Sequence, residues 1–325
     1  MLAILLALAL RARPAGSRDA LEARFARIAA SAGGTVGVSV LHLESGHGAS
    51  LHGHERFPMA SVFKLAVAVQ VLGLVDRGTL SLDQKVVLGP ADMRPFGPLS
   101  ERAGQGGLTR TLRELLETML VDSDNTAADV LLPLAGGPEV VTARLDAAGL
   151  SDIRVDRSEA ELAFDSFGVA APPPRGTWTL ASIRGAIEAV PASERRAAYA
   201  RFLADPRDTA TPDALVQLLR QIAEGRWLKP ESRDLLLTFM ARTRVGPKRL
   251  KGDLPPGTPV AHRTGTGADV GASNVCTNDV GLVTLPGGRG RLAVAVLIKG
   301  SDRPLAAREQ AIARISRAAF DYWTR

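Results

Sequence analysis

Three short stretches hold side chains that could do chemistry together: Ser61-Val62-Phe63-Lys64, Ser123-Asp124-Asn125 and Arg263-Thr264-Gly265. A serine hydroxyl is a weak nucleophile until a base removes its proton. Ser61 opens an apolar run that reads as a helix over 61–75, and Lys64 follows three residues later. Helix positions i and i+3 share a face, so the lysine nitrogen can reach the hydroxyl. The helix N-terminus adds a positive potential that favours a developing anion. The plain alternative is a capping serine with a surface lysine. Phe63 and Leu65 flank Lys64, however, and a lysine in a buried helix needs a partner or a task. Ser123-Asp124-Asn125 follows a helix end, where all three residue types also cap well. Arg263 stands on a strand that ends Thr-Gly-Thr-Gly; glycine there lets a ligand approach the backbone, and a guanidinium offers planar, bidentate anion binding.

The elements that must position these groups follow from hydrophobic spacing. Helical periodicity covers 18–30, with Leu21, Phe25 and Ile28 on one face. Strand alternation covers 35–43; Gly46 and Gly48 punctuate a turn, and a second strand runs toward Pro58. Further helices are expected over 108–121, 126–135, 138–148, 178–190, 193–204, 212–224, 231–242 and 304–323. Strands are expected over 260–266, 279–285 and 292–298. Pro172-Pro173-Pro174 breaks regular structure between the middle helices. Strands at both ends with helices between predict an α/β fold of the α+β type. It is an antiparallel sheet formed from both chain ends, flanked by terminal helices, with an inserted all-α lobe. The expected division is an α/β part over 18–60 and 213–325 and an all-α part over 61–212, together one catalytic domain.

Composition narrows the partners. The chain has 325 residues, enough for a large core, with 46% hydrophobic and 23% charged residues. The net charge of +6 comes from 34 Arg and 6 Lys spread along the chain with no basic run, so no nucleic-acid partner is expected. Cys276 is the only cysteine, which excludes an intrachain disulfide and reads as a small buried apolar residue. His52 and His54 have no third ligand at a convincing spacing, so no metal is expected. Residues 2–10 are almost all Leu, Ala and Ile, too few to span a bilayer. They look like the apolar part of a secretory signal within 1–17, which predicts a periplasmic or secreted protein. No later segment reads as transmembrane.

The three motifs, in this order, resemble those of class A serine β-lactamases and penicillin-binding proteins, with Arg263 in place of the usual lysine. Arg157-Ser158-Glu159-Ala160-Glu161-Leu162-Ala163 is similar to the Arg-x-Glu-x-x-Leu-Asn signature of the class A omega loop, and Glu159 follows Ser123 by 36 residues, as the family pattern expects. The resemblance implies hydrolysis of the β-lactam amide through a serine acyl-enzyme, without cofactor. It implies Ser61 as nucleophile, Lys64 and Glu159 as proton acceptors, and Ser123 as proton relay to the leaving nitrogen. Asn125, Thr264, Gly265 and Thr266 would bind substrate with Arg263, and the backbone amides of Ser61 and Thr266 would form the oxyanion hole. Arg249 is a further expected anchor and Phe96 an expected rim residue. Arg157 would pair with Asp208 to close the loop.

Two departures stand out. Ala163 occupies the family's Asn position and offers no hydrogen-bonding group to the deacylating water, which predicts slower deacylation or altered substrate choice. Arg157 and Asp208 are 51 residues apart, so about 35 residues look inserted near 166–202; loop closure tolerates such length. The insert could cover the site or project away. A D-alanyl-D-alanine carboxypeptidase would keep Ser61, Lys64 and Ser123 without needing Glu159. A slow-deacylating β-lactam sensor is the other alternative. A monomer is expected.

Overall fold

The computed structural model describes residues 17–102 and 107–325. The expected signal segment therefore lies almost wholly outside the described residues. Among the described residues no helix is long and apolar enough to cross a membrane.

The chain runs α1 (Arg18–Ala29), β1 (Thr35–His42), β2 (Gly48–Leu51), β3 (Phe57–Pro58), a 3-10 turn (Ala60–Phe63), α2 (Lys64–Asp76), β4 (Lys85–Leu88), α3 (Pro98–Glu101), β5 (Leu108–Thr111) and α4 (Leu112–Val121). It continues through α5 (Asn125–Leu134), α6 (Pro138–Ala147), α7 (Glu159–Phe167), α8 (Leu180–Glu188), α9 (Ala192–Ala204), β6 (Thr209–Ala210), α10 (Pro212–Ala223) and α11 (Pro230–Ala241). It ends with β7 (Val260–Thr266), β8 (Asp269–Val270), β9 (Ser273–Thr284), β10 (Arg291–Ser301) and α12 (Leu305–Thr324).

The main sheet has the order β2-β1-β10-β9-β7, with β8 paired to β9, and every pairing is antiparallel. Both chain ends thus build one sheet, as expected. Alternation along β10 sets its two faces. Leu292, Val294, Val296 and Ile298 pack with Phe25 of α1 and Ile312 and Ile315 of α12. Ala293, Ala295 and Leu297 turn to the opposite core, which also holds α2, α4, α5 and α10. Helix α2 is buried from Lys64 to Gly73, so it is apolar all round, as a central helix must be.

Several boundaries differ from expectation for local reasons. The helix expected over 108–121 begins at Leu112, because a Thr111/Glu114 capping box starts it there and β5 takes the residues before. The second strand stops at Leu51, where His52 turns at φ +48; Phe57–Pro58 instead pairs with β6. Ser61 lies inside the 3-10 turn, and α2 proper starts at Lys64. Helix α7 was not foreseen; Ser158 and Glu161 form the capping box that begins it.

The seam between sheet and helices is fixed around the turn that carries Ser61. A Cβ at Gly265 would lie 2.3 Å from the Met59 carbonyl oxygen, so only glycine lets β7 pass this close. Buried Asn278 of β9 donates from Nδ2 to the carbonyls of Pro58 (2.8 Å) and Met59 (3.0 Å). Asn278→Ala should therefore destabilise the fold by about 1–3 kcal/mol, since two carbonyls lose their donor. Urea denaturation followed by circular dichroism measures this, and an unchanged midpoint would contradict it.

Candidate active site

Lys64 organises the site because its ammonium is wholly buried. Its Nζ donates to the Ser123 carbonyl (2.8 Å) and to Asn125 Oδ1 (2.6 Å), and lies 2.8 Å from Glu159 Oε1. Burial pulls its pKa down; Glu159 opposes this and nearby Arg263 adds to it. Ser61 Oγ donates to the same Glu159 Oε1 at 3.2 Å. One carboxylate oxygen thus touches both nucleophile and lysine.

Arg263 enters from β7. Its Nε donates to the Ser61 carbonyl (2.9 Å), its Nη1 to the Leu120 carbonyl (3.1 Å) and its Nη2 to Ser123 Oγ (2.7 Å). Burial lowers its pKa to about 10, so it remains a cation at neutral pH. Because Ser123 Oγ accepts from Arg263, its own proton is free to point elsewhere. Asp124 caps α5 through the Ala127 amide and accepts the Leu99 amide, which fixes the turn holding Ser123 and Asn125. Burial raises its pKa, and those amide bonds oppose the rise.

Arg157 and Asp208 pair at 2.6 Å (Nε to Oδ2), both buried. The Arg157 guanidinium also meets Asp165 (2.6 Å) and Asp205 (3.2 Å) and covers the Phe202 ring at 5.1 Å. The two ends of the inserted segment are therefore tied in one ionic knot. The insert does not project away: Ile187 of α8 and Phe202 of α9 line the same cleft as Ser61 and Glu159. Tyr199 of α9 donates to the Asn274 carbonyl of β9 at 3.4 Å, joining the insert to the sheet.

The cleft has a volume of about 540 Å³. Ser61, Ser123, Asn125, Glu159, Thr264 and Thr266 line it, and Ala163 sits one turn after Glu159 on α7. Phe96 stands at the rim, 79% exposed. Lys64, Arg263 and Gly265 lie beneath its surface. Arg249 does not line the cleft: it is buried behind β7, donating to Thr266 Oγ1 (2.7 Å) and to the carbonyls of Gly265 (3.2 Å) and Asn278 (2.9 Å). His262 faces away from Arg263 and pairs with Asp279. His52 and His54 are engaged separately, with the Val36 carbonyl and Asp213. Ala60, Phe96, Ser123 and Asp208 all adopt positive φ, a strained conformation for residues with a side chain, and all four line the cleft.

Sequence reasoning missed Asp129 and Arg94. Asp129 Oδ1 accepts the Glu159 amide at 2.6 Å and Oδ2 the Ala160 amide at 3.3 Å, so it anchors the first turn of α7. Arg94 Nε pairs with Asp129 at 2.6 Å. The signal available was spacing, since Asp129 stands four residues after Asn125 on the same face of α5. Burial pushes the Asp129 pKa up to about 6; Arg94 pulls it down and Glu159 pushes it further up. A carboxyl raised in the folded state stabilises the fold at low pH and loses that contribution as pH rises. Wild type should therefore lose stability relative to Asp129→Asn as pH rises from 3.8 through about 6. Chemical denaturation at stepped pH reads the difference, and a constant gap would contradict it.

Comparison with known proteins agrees with this geometry. The family model described as the β-lactamase enzyme family matches residues 20–323. The extended-spectrum β-lactamase PER-1 of Pseudomonas aeruginosa is 31% identical over 290 residues, covering 89% of this chain and 82% of the relative. The crystal structure of the extended-spectrum β-lactamase TLA-3 superposes with a TM-score of 0.79 at 28% identity, covering 95% of this chain and 100% of that one. An ancestral class A β-lactamase superposes with a TM-score of 0.74 at 34% identity, covering 92% and 98%. With a match along nearly its whole length, the chain belongs to the β-lactamase enzyme family.

Proposed function

We propose that this protein is a class A serine β-lactamase that opens the lactam amide of antibiotics and thereby confers resistance. The observation that carries this reading is the shared Glu159 oxygen, 3.2 Å from Ser61 Oγ and 2.8 Å from Lys64 Nζ. A carboxylate touching the nucleophile can activate the water that releases a β-lactam acyl-enzyme, a release that a penicillin-binding protein or sensor trapped as its adduct does not achieve.

In the first half, Ser61 attacks the lactam carbonyl while its proton passes to Glu159, directly or through water, or to Lys64. The amides of Ser61 and Thr266 stabilise the oxyanion. Ser123 gives its proton to the departing nitrogen and takes up in its place the proton that left Ser61, so Glu159 is again a carboxylate; Arg263 Nη2, 2.7 Å from that hydroxyl, stabilises its oxygen during the transfer. Thr264 and Thr266 receive the substrate carboxylate, with Arg249 acting through Thr266. Asn125 holds both Lys64 and the substrate amide. In the second half, Glu159 activates water, which attacks the acyl carbon and frees Ser61. The half-buried Phe167, Ile187 and Phe202 give the cleft an apolar wall, which suits an apolar acyl substituent. We further propose that residues 1–17 direct export to the periplasm or medium and that the protein works as a monomer.

Mixing the protein with benzylpenicillin while recording lactam absorbance and intact mass tests the assignment. Rapid lactam loss with a transient adduct is expected, and Ser61→Ala should lose it by a factor of about 10⁴ or more. Glu159→Gln should acylate and then hold the adduct. A stable adduct on wild type would move the assignment to the penicillin-binding or sensor reading. Ala163→Asn should speed deacylation by restoring a hydrogen-bonding group; an unchanged rate would remove Ala163 as its cause.

A further inference from the structure

The insert brings an aromatic ring to the back of the catalytic machinery. Trp178 lies between the proline cluster and α8, 8% exposed, and its Nε1 donates to the Pro173 carbonyl at 2.7 Å. It packs in a small core with Ala160 and Phe164 of α7 and Ile183 of α8. Its ring meets Phe164 edge-on at 5.5 Å. The opposite partner is a cation: the Arg94 guanidinium carbon lies 5.5 Å from the Trp178 ring centroid.

Arg94 has two sets of contacts that the ring must hold in register. Its Nη1 donates to the carbonyls of Ala91 (2.8 Å) and Met93 (3.0 Å), which hold one arm of the guanidinium. Its Nε reaches Asp129, whose other oxygen holds the Glu159 amide. A continuous path therefore runs from Trp178 to Arg94, to Asp129, to Glu159, and from Glu159 Oε1 to Ser61 Oγ. A second path runs through packing, since Ala160 belongs to the same small core and follows Glu159 directly. An indole is the strongest common partner for a guanidinium face, most of all when both are shielded from water. Leucine keeps the site apolar without that attraction, though it fills less of the space.

We propose that Trp178 is a positioning residue for Glu159, acting through Arg94 and Asp129, so that the insert serves the deacylation half of the reaction. This rests on the hydrolase assignment above. Ser61 and Lys64 touch Glu159 but are also held by Arg263, Ser123 and Asn125, which Trp178 does not touch, and acylation has Lys64 as a second proton acceptor where deacylation has Glu159 alone. Loss of the ring should thus spare acylation and slow deacylation.

Stopped-flow and quench mass spectrometry with benzylpenicillin separate the two steps. Trp178→Leu should keep the acylation rate within about twofold and slow deacylation by about tenfold or more, the scale expected when a catalytic group shifts by a fraction of an ångström. Trp178→Phe, which keeps a ring face, should recover most of the loss. If Trp178→Leu unfolds, Arg94→Lys decides the matter, because it keeps the charge but loses the planar stacking; it should show the same selective deacylation defect. Equal loss of both steps, or equal behaviour of the Leu and Phe variants, would overturn the proposal. A wild type that forms no adduct and opens no lactam would instead overturn the hydrolase assignment.

Discussion

The burial of one ammonium group governs the site. Lys64 sits at the head of a helix that is apolar on every side, so its charge must be met by groups brought from elsewhere. The Ser123 carbonyl, Asn125 and Glu159 meet it, and they arrive from two separate segments, the 123–125 turn and the start of α7. Each is held by its own anchor: Asp124 for the 123–125 turn, Asp129 for the first turn of α7, and Arg263 for the Ser123 hydroxyl. The requirement to satisfy a buried cation is thus what gathers these groups around Lys64, with Glu159 also reaching the Ser61 hydroxyl.

Charge is balanced in pairs rather than singly. Lys64 answers Glu159, Arg94 answers Asp129, and Arg157 answers Asp208. Removing one member of such a pair leaves the other buried without compensation, which costs far more than the pair contributes. The loop carrying Glu159 is therefore fixed by an ion pair that joins its two ends and by the pair from Glu159 to Lys64. This explains how a long insert can be carried there without loosening Glu159. The strained φ values at Ala60, Phe96, Ser123 and Asp208 lie within the same braced region.

Much of this was legible in the sequence. Period-2 and period-3.6 patterns gave the sheet from both ends and most helices, because strands buried on both faces and a wholly apolar α2 leave strong signals. The groups gathered around Ser61 were readable because their residue types and order are themselves chemical statements. Boundaries failed where a short capping box decided the matter, as at Thr111 and Ser158. Asp129 and Arg94 escaped because an acid on a helix and an arginine in a loop look like solvated surface until their partner is known. Arg249 was expected as an anchor in the cleft but lies buried behind Thr266, since sequence does not tell which face of β7 a loop packs against. The course of the insert was unreadable, because it is set by Tyr199, Trp178 and the Arg157 knot acting across long separations.

The position of β1 in the sheet has a consequence for biosynthesis. β1 lies between β2 and β10, so one of its two edges waits for a strand far later in the chain, where Thr35 pairs with Lys299. Until β10 emerges, the growing polypeptide holds an open hairpin edge, and α10 lacks one of the strands it packs against. β9 and β10 close the sheet from the far side of the helical segment, and β7, paired on β9, carries Arg263 back to Ser61 and Ser123. A chain built this way keeps its sheet open until both strands have been made, and its site draws on residues that are synthesised far apart.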